Sequence, residues 1–214
     1  LGFMTLVTLS QHLALLWASV EATTLSSAPL IYFHRQKRAL EAAWKYLIIS
    51  SVGIALALLG TMFISVAASG LPGGSSLVVG DLLARAAALD PEWLKPAFIL
   101  ILVGYGTKMG LAPLHTWLPD AHSEAPSLVS ALLSGALLNT AFLGILRVAG
   151  ICNAAGLGAF TSDLLIVFAV MSMGVAAVFV LRQPDYKRML AYSSVEHMGI
   201  LAFGVGIGGL ATYG

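Results

Sequence analysis

The sequence predicts an all-α membrane protein, a polytopic bundle of transmembrane helices. Of its 214 residues, 58% are hydrophobic and only 10% are charged, whereas a soluble domain carries about 25% charged residues. The apolar residues form runs close to the roughly 20 residues that a helix needs to cross a bilayer. These runs lack the alternation of apolar and polar residues that is typical of a transmembrane β-barrel.

The apolar runs predict a single membrane domain over residues 1–214. After a helix remnant at 1–9, about six spans are expected, at 12–33, 46–69, 95–114, 128–149, 163–181 and 188–210. The segment Leu-Pro-Gly-Gly-Ser-Ser at 71–76 is expected to interrupt helical structure outside the membrane. The chain starts without an initiator methionine and ends in a glycine-rich segment, so we expect a fragment of a longer protein.

Basic residues predict the orientation of the bundle, because loops rich in Lys and Arg face the cytoplasm. The loop 34–45 contains four Lys or Arg residues, and the loop 182–188 contains three. Four predicted spans separate the two loops, which returns the chain to the same side of the membrane. Both loops are therefore expected to be cytoplasmic, together with 115–127, and 70–94 is expected to be periplasmic.

Lys108 lies within the apolar run 98–114, where an ammonium group is costly unless it is paired, hydrated or able to lose its proton. Nearby glycines and Pro113 predict a discontinuous helix around 104–120, and broken helices at membrane depth line polar paths. Glu21 is the expected buried partner, either in a titrating pair on a proton route or in a static ion pair. Snorkelling of Lys108 to the interface is the remaining alternative.

His115 and His122 follow Lys108 in a segment that also contains two acids and two prolines. Their spacing is not that of a known metal site, and Pro119 interrupts any helix that would align them. A hydrogen-bonded segment with protonatable histidines fits better. The single cysteine, Cys152, excludes an internal disulfide and a cysteine-based metal site within this chain.

Further polar residues fall inside the predicted spans. Asn139 and Ser134 lie in the span 128–149, and Glu196 and His197 lie in the last span. This density of polar side chains suggests a hydrated line through the interior, although packing by small residues explains serine equally well.

The run Lys108-Met-Gly-Leu-Ala-Pro-Leu-His-Thr-Trp-Leu-Pro-Asp-Ala-His-Ser-Glu-Ala-Pro-Ser-Leu-Val-Ser-Ala-Leu-Leu-Ser-Gly135 closely resembles the signature of the proton-conducting antiporter-like family. This family supplies membrane subunits of respiratory complex I, group 4 NiFe hydrogenases and Mrp-type cation/proton antiporters. Glu21 after Leu-Trp-Ala-Ser-Val, and the segment from Asp185 to Gly199, also match. Asn139, with Tyr-Ser-Ser-Val-Glu-His-Met-Gly at 192–199, is most similar to the hydrogenase-4 component F subfamily.

The resemblance implies a proton-translocating membrane-arm subunit of a complex I-like or hydrogenase-like redox complex. Lys108 would be the proton carrier, Glu21 its modulating partner, and His115 and His122 the link to solvent or to a central polar axis. The chain would be a non-redox subunit without a cofactor or metal of its own, and the redox cofactors would lie in partner subunits. It would reside in a bacterial or archaeal inner membrane, and nothing indicates binding to nucleic acid.

Two alternatives stay open at this stage. The first is an Mrp-type antiporter subunit that exchanges Na⁺ for protons. The second is a structural membrane subunit with an interrupted proton wire. Many complex I members have Lys or His where this chain has Asn139, and an amide hydrogen-bonds water but cannot hold a mobile proton near neutral pH.

Overall fold

The computed structural model describes residues 1–70 and 74–213, with side chains up to 208, so part of the expected helix-breaking segment 71–76 lies outside the described residues. The described chain is helical, which confirms the all-α prediction. A short 3₁₀ turn (Ala86–Ala88) and a π turn (Leu133–Leu137) accompany the helices. The helices are α1 Gly2–Leu9, α2 Leu13–Ile31, α3 Lys37–Ala67, α4 Val79–Ala84, α5 Pro91–Met109, α6 Trp117–Glu124, α7 Ser127–Leu132, α8 Leu138–Ala154, α9 Gly158–Val180 and α10 Tyr186–Tyr213.

Four helical segments of the described chain are long and apolar enough to cross a membrane. They are α3, the continuous segment 127–154 that joins α7 to α8, α9, and α10 up to Gly208. The other two predicted spans correspond to α2 and α5, which have 19 residues each but more polar sequences. These two helices contain Glu21 and Lys108, the candidate charged residues.

Helix α5 ends at Met109, five residues before the end of the predicted span 95–114. Gly110 follows in the left-handed region with φ 85°, a conformation that ends helices and that glycine adopts without steric cost. The chain then turns over seven residues before α6 begins at Trp117. The discontinuous helix predicted around 104–120 is therefore confirmed, and Lys108 occupies its last turn.

Helices α3 and α5 pack against each other through glycines. A Cβ atom placed on Gly104 of α5 would lie 2.6 Å from the backbone nitrogen of Ala57, and one placed on Gly53 of α3 would lie 2.7 Å from Cβ of Thr107. Side chains larger than hydrogen at these positions would force the helices apart. The close approach brings the first half of α3, which begins nine residues before the predicted span 46–69, against the last turn of α5.

Three loops meet at one end of the bundle. Lys45 Nζ lies 3.1 Å from Asp120 Oδ2, Arg188 also bonds to Asp120, and the Ser123 hydroxyl donates to Asp185 at 2.8 Å. We call Glu41, Lys45, Asp120 and Arg188 the charged end. The two basic loops and 115–127 thus lie on the same side, as the count of crossings requires.

Candidate functional site

Lys108 is completely buried. Its ammonium group donates a hydrogen bond to the hydroxyl of Tyr46 on α3. The nitrogen lies 4.3 Å from the centre of the Tyr46 ring and 6.0 Å from the Trp117 ring, within the range in which aromatic faces attract cations. The side chain is therefore held in an aromatic cage and does not snorkel to the interface.

The break after α5 builds one wall of this cage. Ending a helix leaves its last carbonyl oxygens without partners inside the helix. The carbonyl of Thr107 accepts a hydrogen bond from the Trp117 indole nitrogen at 2.8 Å, and the ring of Trp117 packs on Tyr46 with centroids 4.9 Å apart. The same interruption thus places Lys108 in the last turn of α5 and fixes the aromatic ring of Trp117 beside it.

Tyr46 is fully buried and connects Lys108 to helix α2. Its hydroxyl lies 2.7 Å from Ser27 Oγ, and Ser27 in turn donates to the carbonyl of Thr23 at 2.6 Å. A hydrogen-bonded chain therefore runs from α5 across α3 to α2. None of its members besides Lys108 was predicted from the sequence.

Glu21 does not contact Lys108 directly, and the expectation that the two residues form an ion pair is wrong for this conformation. One carboxylate oxygen accepts from the Ser51 hydroxyl at 2.8 Å, and the other is buried without a hydrogen-bond partner. Helix α3 supplies both competing partners, because Ser51 bonds to Glu21 while Tyr46 bonds to Lys108. The charge of Glu21 still acts on Lys108 over the longer distance.

His115 and His122 follow Lys108 in the chain, in the segment between α5 and α7. His115 is buried, with its ring 6.1 Å from that of Tyr192 and its Nδ1 atom without a partner. His122 is also buried, and its Nδ1 lies 3.0 Å from the Ser130 hydroxyl while Nε2 is unpartnered. These residues lie between the predicted spans, where burial lowers the pKa of His122 to about 4. Its ring is therefore neutral near pH 7.

A cavity of about 600 Å³ lies beside His122, between the start of α7 and the first turns of α10. His197 also lines this cavity and is itself exposed, with its Nδ1 2.6 Å from the carbonyl of Ser193. Serine hydroxyl groups line part of the cavity, including Ser134 and Ser194, which bond to each other at 2.7 Å. The structure therefore brings His122 and His197 to one cavity, whose wall is mostly apolar but carries several serine hydroxyl groups.

Asn139 and Glu196 are not brought to this cavity. Asn139 is exposed, donates to the carbonyl of Gly135 in its own helix at 2.7 Å, and lines a separate cavity beside α1. Glu196 is half-buried on α10 and is not among the residues that line the cavity of His122. The polar line expected along 128–149 is therefore divided between two faces of the segment.

The sequence did contain weak signals for the residues that were missed. Tyr46 lies beside a basic loop, where an aromatic residue is typical of the membrane interface. Ser27 belongs to a cluster of serines and threonines within an otherwise apolar span. Only the packing of α3 against α5 and α2 shows that the two side chains meet. Within the residues described, no group of three or more His, Cys, Asp or Glu side chains is placed to hold a metal ion.

The family model described as NADH:quinone oxidoreductase/Mrp antiporter, transmembrane, matches residues 10–213. A hydrogenase-4 component F homolog from Methylacidiphilum infernorum is 44% identical over 208 residues, which cover 96% of this chain and 44% of that protein. NADH-quinone oxidoreductase subunit N from Deinococcus radiodurans is 36% identical over 200 residues, covering 92% and 39%. The chain spans about two fifths of the length of these relatives.

Two solved structures are also similar to this chain. A chain of respiratory complex I from Thermus thermophilus superposes with a TM-score of 0.79 at 30% identity, covering 95% of this chain and 42% of that one. A chain of the archaeal membrane-bound sulfane sulfur reductase superposes with a TM-score of 0.87 at 25% identity, covering 95% and 41%.

Proposed function

The chain belongs to the NADH:quinone oxidoreductase/Mrp antiporter transmembrane family, and from that membership we propose that it translocates protons within a complex I-like or hydrogenase-like redox complex. Its partners are then the other membrane and peripheral subunits of that complex, which hold the redox cofactors. Its location is the cell membrane of a bacterium or archaeon. Related proteins from both bacteria and archaea support this placement.

The complete burial of Lys108 at a helix break carries the proposal. Removing an ammonium group from water costs several kcal/mol, on the order of the total stability of a small domain. A purely structural role does not offset this desolvation cost, since the neighbouring groups are a tyrosine hydroxyl and two rings rather than a carboxylate. A lysine that gains and loses a proton during each cycle makes the burial useful.

The proposed route leaves Lys108 through the segment that follows α5. His115 and His122 provide nitrogen atoms without hydrogen-bond partners, and His122 lines a cavity together with His197 and several serines. The Nε2 atom of His122 is free to accept a proton arriving from Lys108, and because burial lowers the pKa of the ring to about 4, the proton passes on towards the charged end without resting there.

Glu21 acts on Lys108 as a distant negative charge in this proposal. A carboxylate that favours the protonated lysine controls when the proton leaves. No carrier role is assigned to Asn139, because its amide bonds to its own helix and faces another cavity. In this proposal the proton route does not pass through Asn139.

The experiment replaces Lys108 in the full-length protein within its complex. Inverted membrane vesicles receive the electron donor of the complex, and a pH-sensitive dye reports proton uptake while electron transfer is followed in parallel. For Lys108→Ala we expect proton uptake per electron to fall about tenfold or more, as for the loss of a proton-transferring group. Lys95→Ala is the matched control, because Lys95 is an exposed lysine of the same helix.

Three outcomes separate the functions. Loss of proton uptake with normal subunit content supports proton translocation. Unchanged uptake in a complex that assembles poorly would mean that the subunit is a scaffold. Uptake of radioactive sodium that disappears with Lys108→Ala, in place of proton uptake, would identify a Na⁺/H⁺ antiporter subunit instead.

A further inference from the structure

We infer that Tyr46 is a positioning residue for proton transfer, whose hydroxyl holds the Lys108 ammonium group away from Glu21. This inference rests on the proposed function and names a residue that the sequence did not reveal. In the structure the first partner of Lys108 is a neutral hydroxyl, not the carboxylate. Lys108 thus has one acceptor in use and another, Glu21, with a buried oxygen that has no partner.

The direction of each hydrogen bond follows from counting protons. Ser27 has a single hydroxyl proton, which it donates to the carbonyl of Thr23 at 2.6 Å. With that proton on the Thr23 carbonyl, the Tyr46 hydroxyl is the donor to Ser27 across 2.7 Å, a pair in which the geometry allows either oxygen to donate. The lone pairs of the Tyr46 oxygen then remain for Lys108, because a phenol has only one proton to give. The chain on α2 therefore orients Tyr46 as an acceptor.

The ring of Tyr46 and its hydroxyl have separate tasks. The ring packs on Trp117 and lies below the ammonium group, and it would keep these contacts without the hydroxyl. The hydroxyl alone fixes the position of the nitrogen, which a cation–π contact does not do because it has little directionality. A phenylalanine at this position would therefore preserve the cage but release the ammonium group.

Release of Lys108 gives it access to its second acceptor. Ser51 holds one oxygen of Glu21, which leaves the other oxygen available. The Lys108 side chain thus has two positions, one bonded to Tyr46 and one bonded to Glu21. Lys108 holds its proton more firmly in the second position, because the carboxylate stabilises the charged ammonium group. Tyr46 stabilises the first position, from which the proton leaves more easily.

The test compares Tyr46→Phe with Tyr105→Phe in the full-length protein within its complex. Tyr105 is the matched control, because it is also almost fully buried and belongs to the same helix as Lys108, but it is not a partner of the ammonium group. We expect the initial rate of proton uptake to fall about tenfold with Tyr46→Phe, as for the loss of a hydrogen bond to a charged group. Tyr105→Phe should leave the rate unchanged.

A double substitution distinguishes positioning from a general structural role. If Tyr46 acts through Lys108, adding Tyr46→Phe to Lys108→Ala should produce no further loss, because residues that act as a unit are not additive. If the two losses multiply, Tyr46 does not act through Lys108 and the inference is overturned.

The same experiments separate this inference from the proposed function. If Lys108→Ala abolishes proton uptake while Tyr46→Phe behaves like Tyr105→Phe, the function stands and the role of Tyr46 is wrong. If Lys108→Ala leaves proton uptake unchanged, the proposed function fails, and the inference fails with it.

A second pair of variants tests the chain behind Tyr46 without altering the cage. Ser27→Ala removes the group that orients the Tyr46 hydroxyl, whereas Ser26→Ala removes an exposed hydroxyl that bonds to the same carbonyl, of Thr23, at 3.2 Å. We expect Ser27→Ala to lower proton uptake by less than Tyr46→Phe does, and Ser26→Ala to have no effect. Equal rates for the two serine variants would contradict the inference.

Discussion

The site around Lys108 and the charged end each contain a lysine, but the two lysines differ in their exposure to solvent and in their partners. At the charged end, Lys45 lies between Glu41 at 2.8 Å and Asp120 at 3.1 Å, and about half of its side chain is exposed. Lys108 is completely buried and bonds to a neutral hydroxyl. Lys45 thus contacts two carboxylates, and water screens these ion pairs. Lys108 contacts no carboxylate within the described residues.

This comparison distinguishes two roles for charged residues: those of the charged end join helices, whereas Lys108 is proposed to transfer protons. Exposed ion pairs contribute little to stability and cost little to form. A buried ammonium group without a direct counter-ion is expensive and sensitive to every nearby group. Substitutions around Lys108 should therefore change transport strongly, whereas the same changes at the charged end should affect stability slightly.

Beyond Lys108 itself, the largest contrast is expected between Glu21→Gln and Glu41→Gln. The first removes the charge that acts on Lys108 from a distance, and a unit charge about 8–16 Å away contributes about 1–2 kcal/mol at an effective dielectric constant of about 20. We expect proton uptake in membrane vesicles to fall about tenfold with Glu21→Gln, which corresponds to such an energy. Glu41→Gln should leave uptake at the original rate. Similar values for both variants would remove Glu21 from the mechanism.

The packing that forms the site should be the next most sensitive feature. Gly104→Ala places a methyl group 2.6 Å from backbone atoms of α3, and overpacking of this kind costs about 1–3 kcal/mol. We expect less assembled complex and a lower melting temperature in detergent. Gly174→Ala is the control, since a Cβ there meets no atom within 4 Å. If both variants assemble to the same level, the close packing of α3 on α5 is not required.

Asp120→Asn should produce a smaller effect, limited to stability. The variant loses ion pairs with Lys45 and Arg188, which are partly exposed. We expect the melting temperature to fall by about 2–4 °C at most, with a difference that shrinks as salt is added. Asp163→Asn alters an exposed carboxylate of α9 and serves as the control. A large loss of proton uptake with Asp120→Asn would mean that the charged end takes part in transport.

The smallest effect concerns Asp185, outside the membrane. A hydrogen bond from the Ser123 hydroxyl, and then the backbone N–H groups of Lys187 and Arg188, lower the pKa of Asp185 below its ordinary value of 3.8. The folded state therefore binds fewer protons near this pH, so the stabilisation is present above pH 3.8 and is lost as the pH falls through the lowered pKa.

Thermal melting of Asp185→Asn as a function of pH checks this effect. The variant should be slightly less stable than the wild type above pH 3.8, and the difference should narrow on acidification. A constant difference at all pH values would show that the charge of Asp185 does not contribute.

The sequence was sufficient for the family, the helical fold and the discontinuous helix. Each depends on local patterns: a long signature, apolar runs, and glycines with proline after Lys108. The match to the family model and the 44% identity to a hydrogenase-4 component F homolog confirm the resemblance. The end of α5 at Gly110 lies within the predicted interruption.

The contacts of Lys108 could not be predicted in this way. The sequence indicated a carboxylate partner, because opposite charges in apolar surroundings are expected to pair. The actual partner, Tyr46, depends on how far the glycines let α3 approach α5, which is a property of packing rather than of pattern. The same limit applies to Asn139, whose amide lines a separate cavity beside α1. Which face of its helix meets that cavity depends on the packing of the bundle.

The most direct measurement compares Lys108→Gln with Lys45→Gln in one preparation of the full-length protein within its complex. Both variants replace a lysine with an uncharged residue, one at the buried site and one at the charged end. Protons moved per electron should fall about tenfold or more with Lys108→Gln and should match the wild type with Lys45→Gln. An unchanged ratio for Lys108→Gln, in complexes that contain the normal amount of this subunit, would contradict the account.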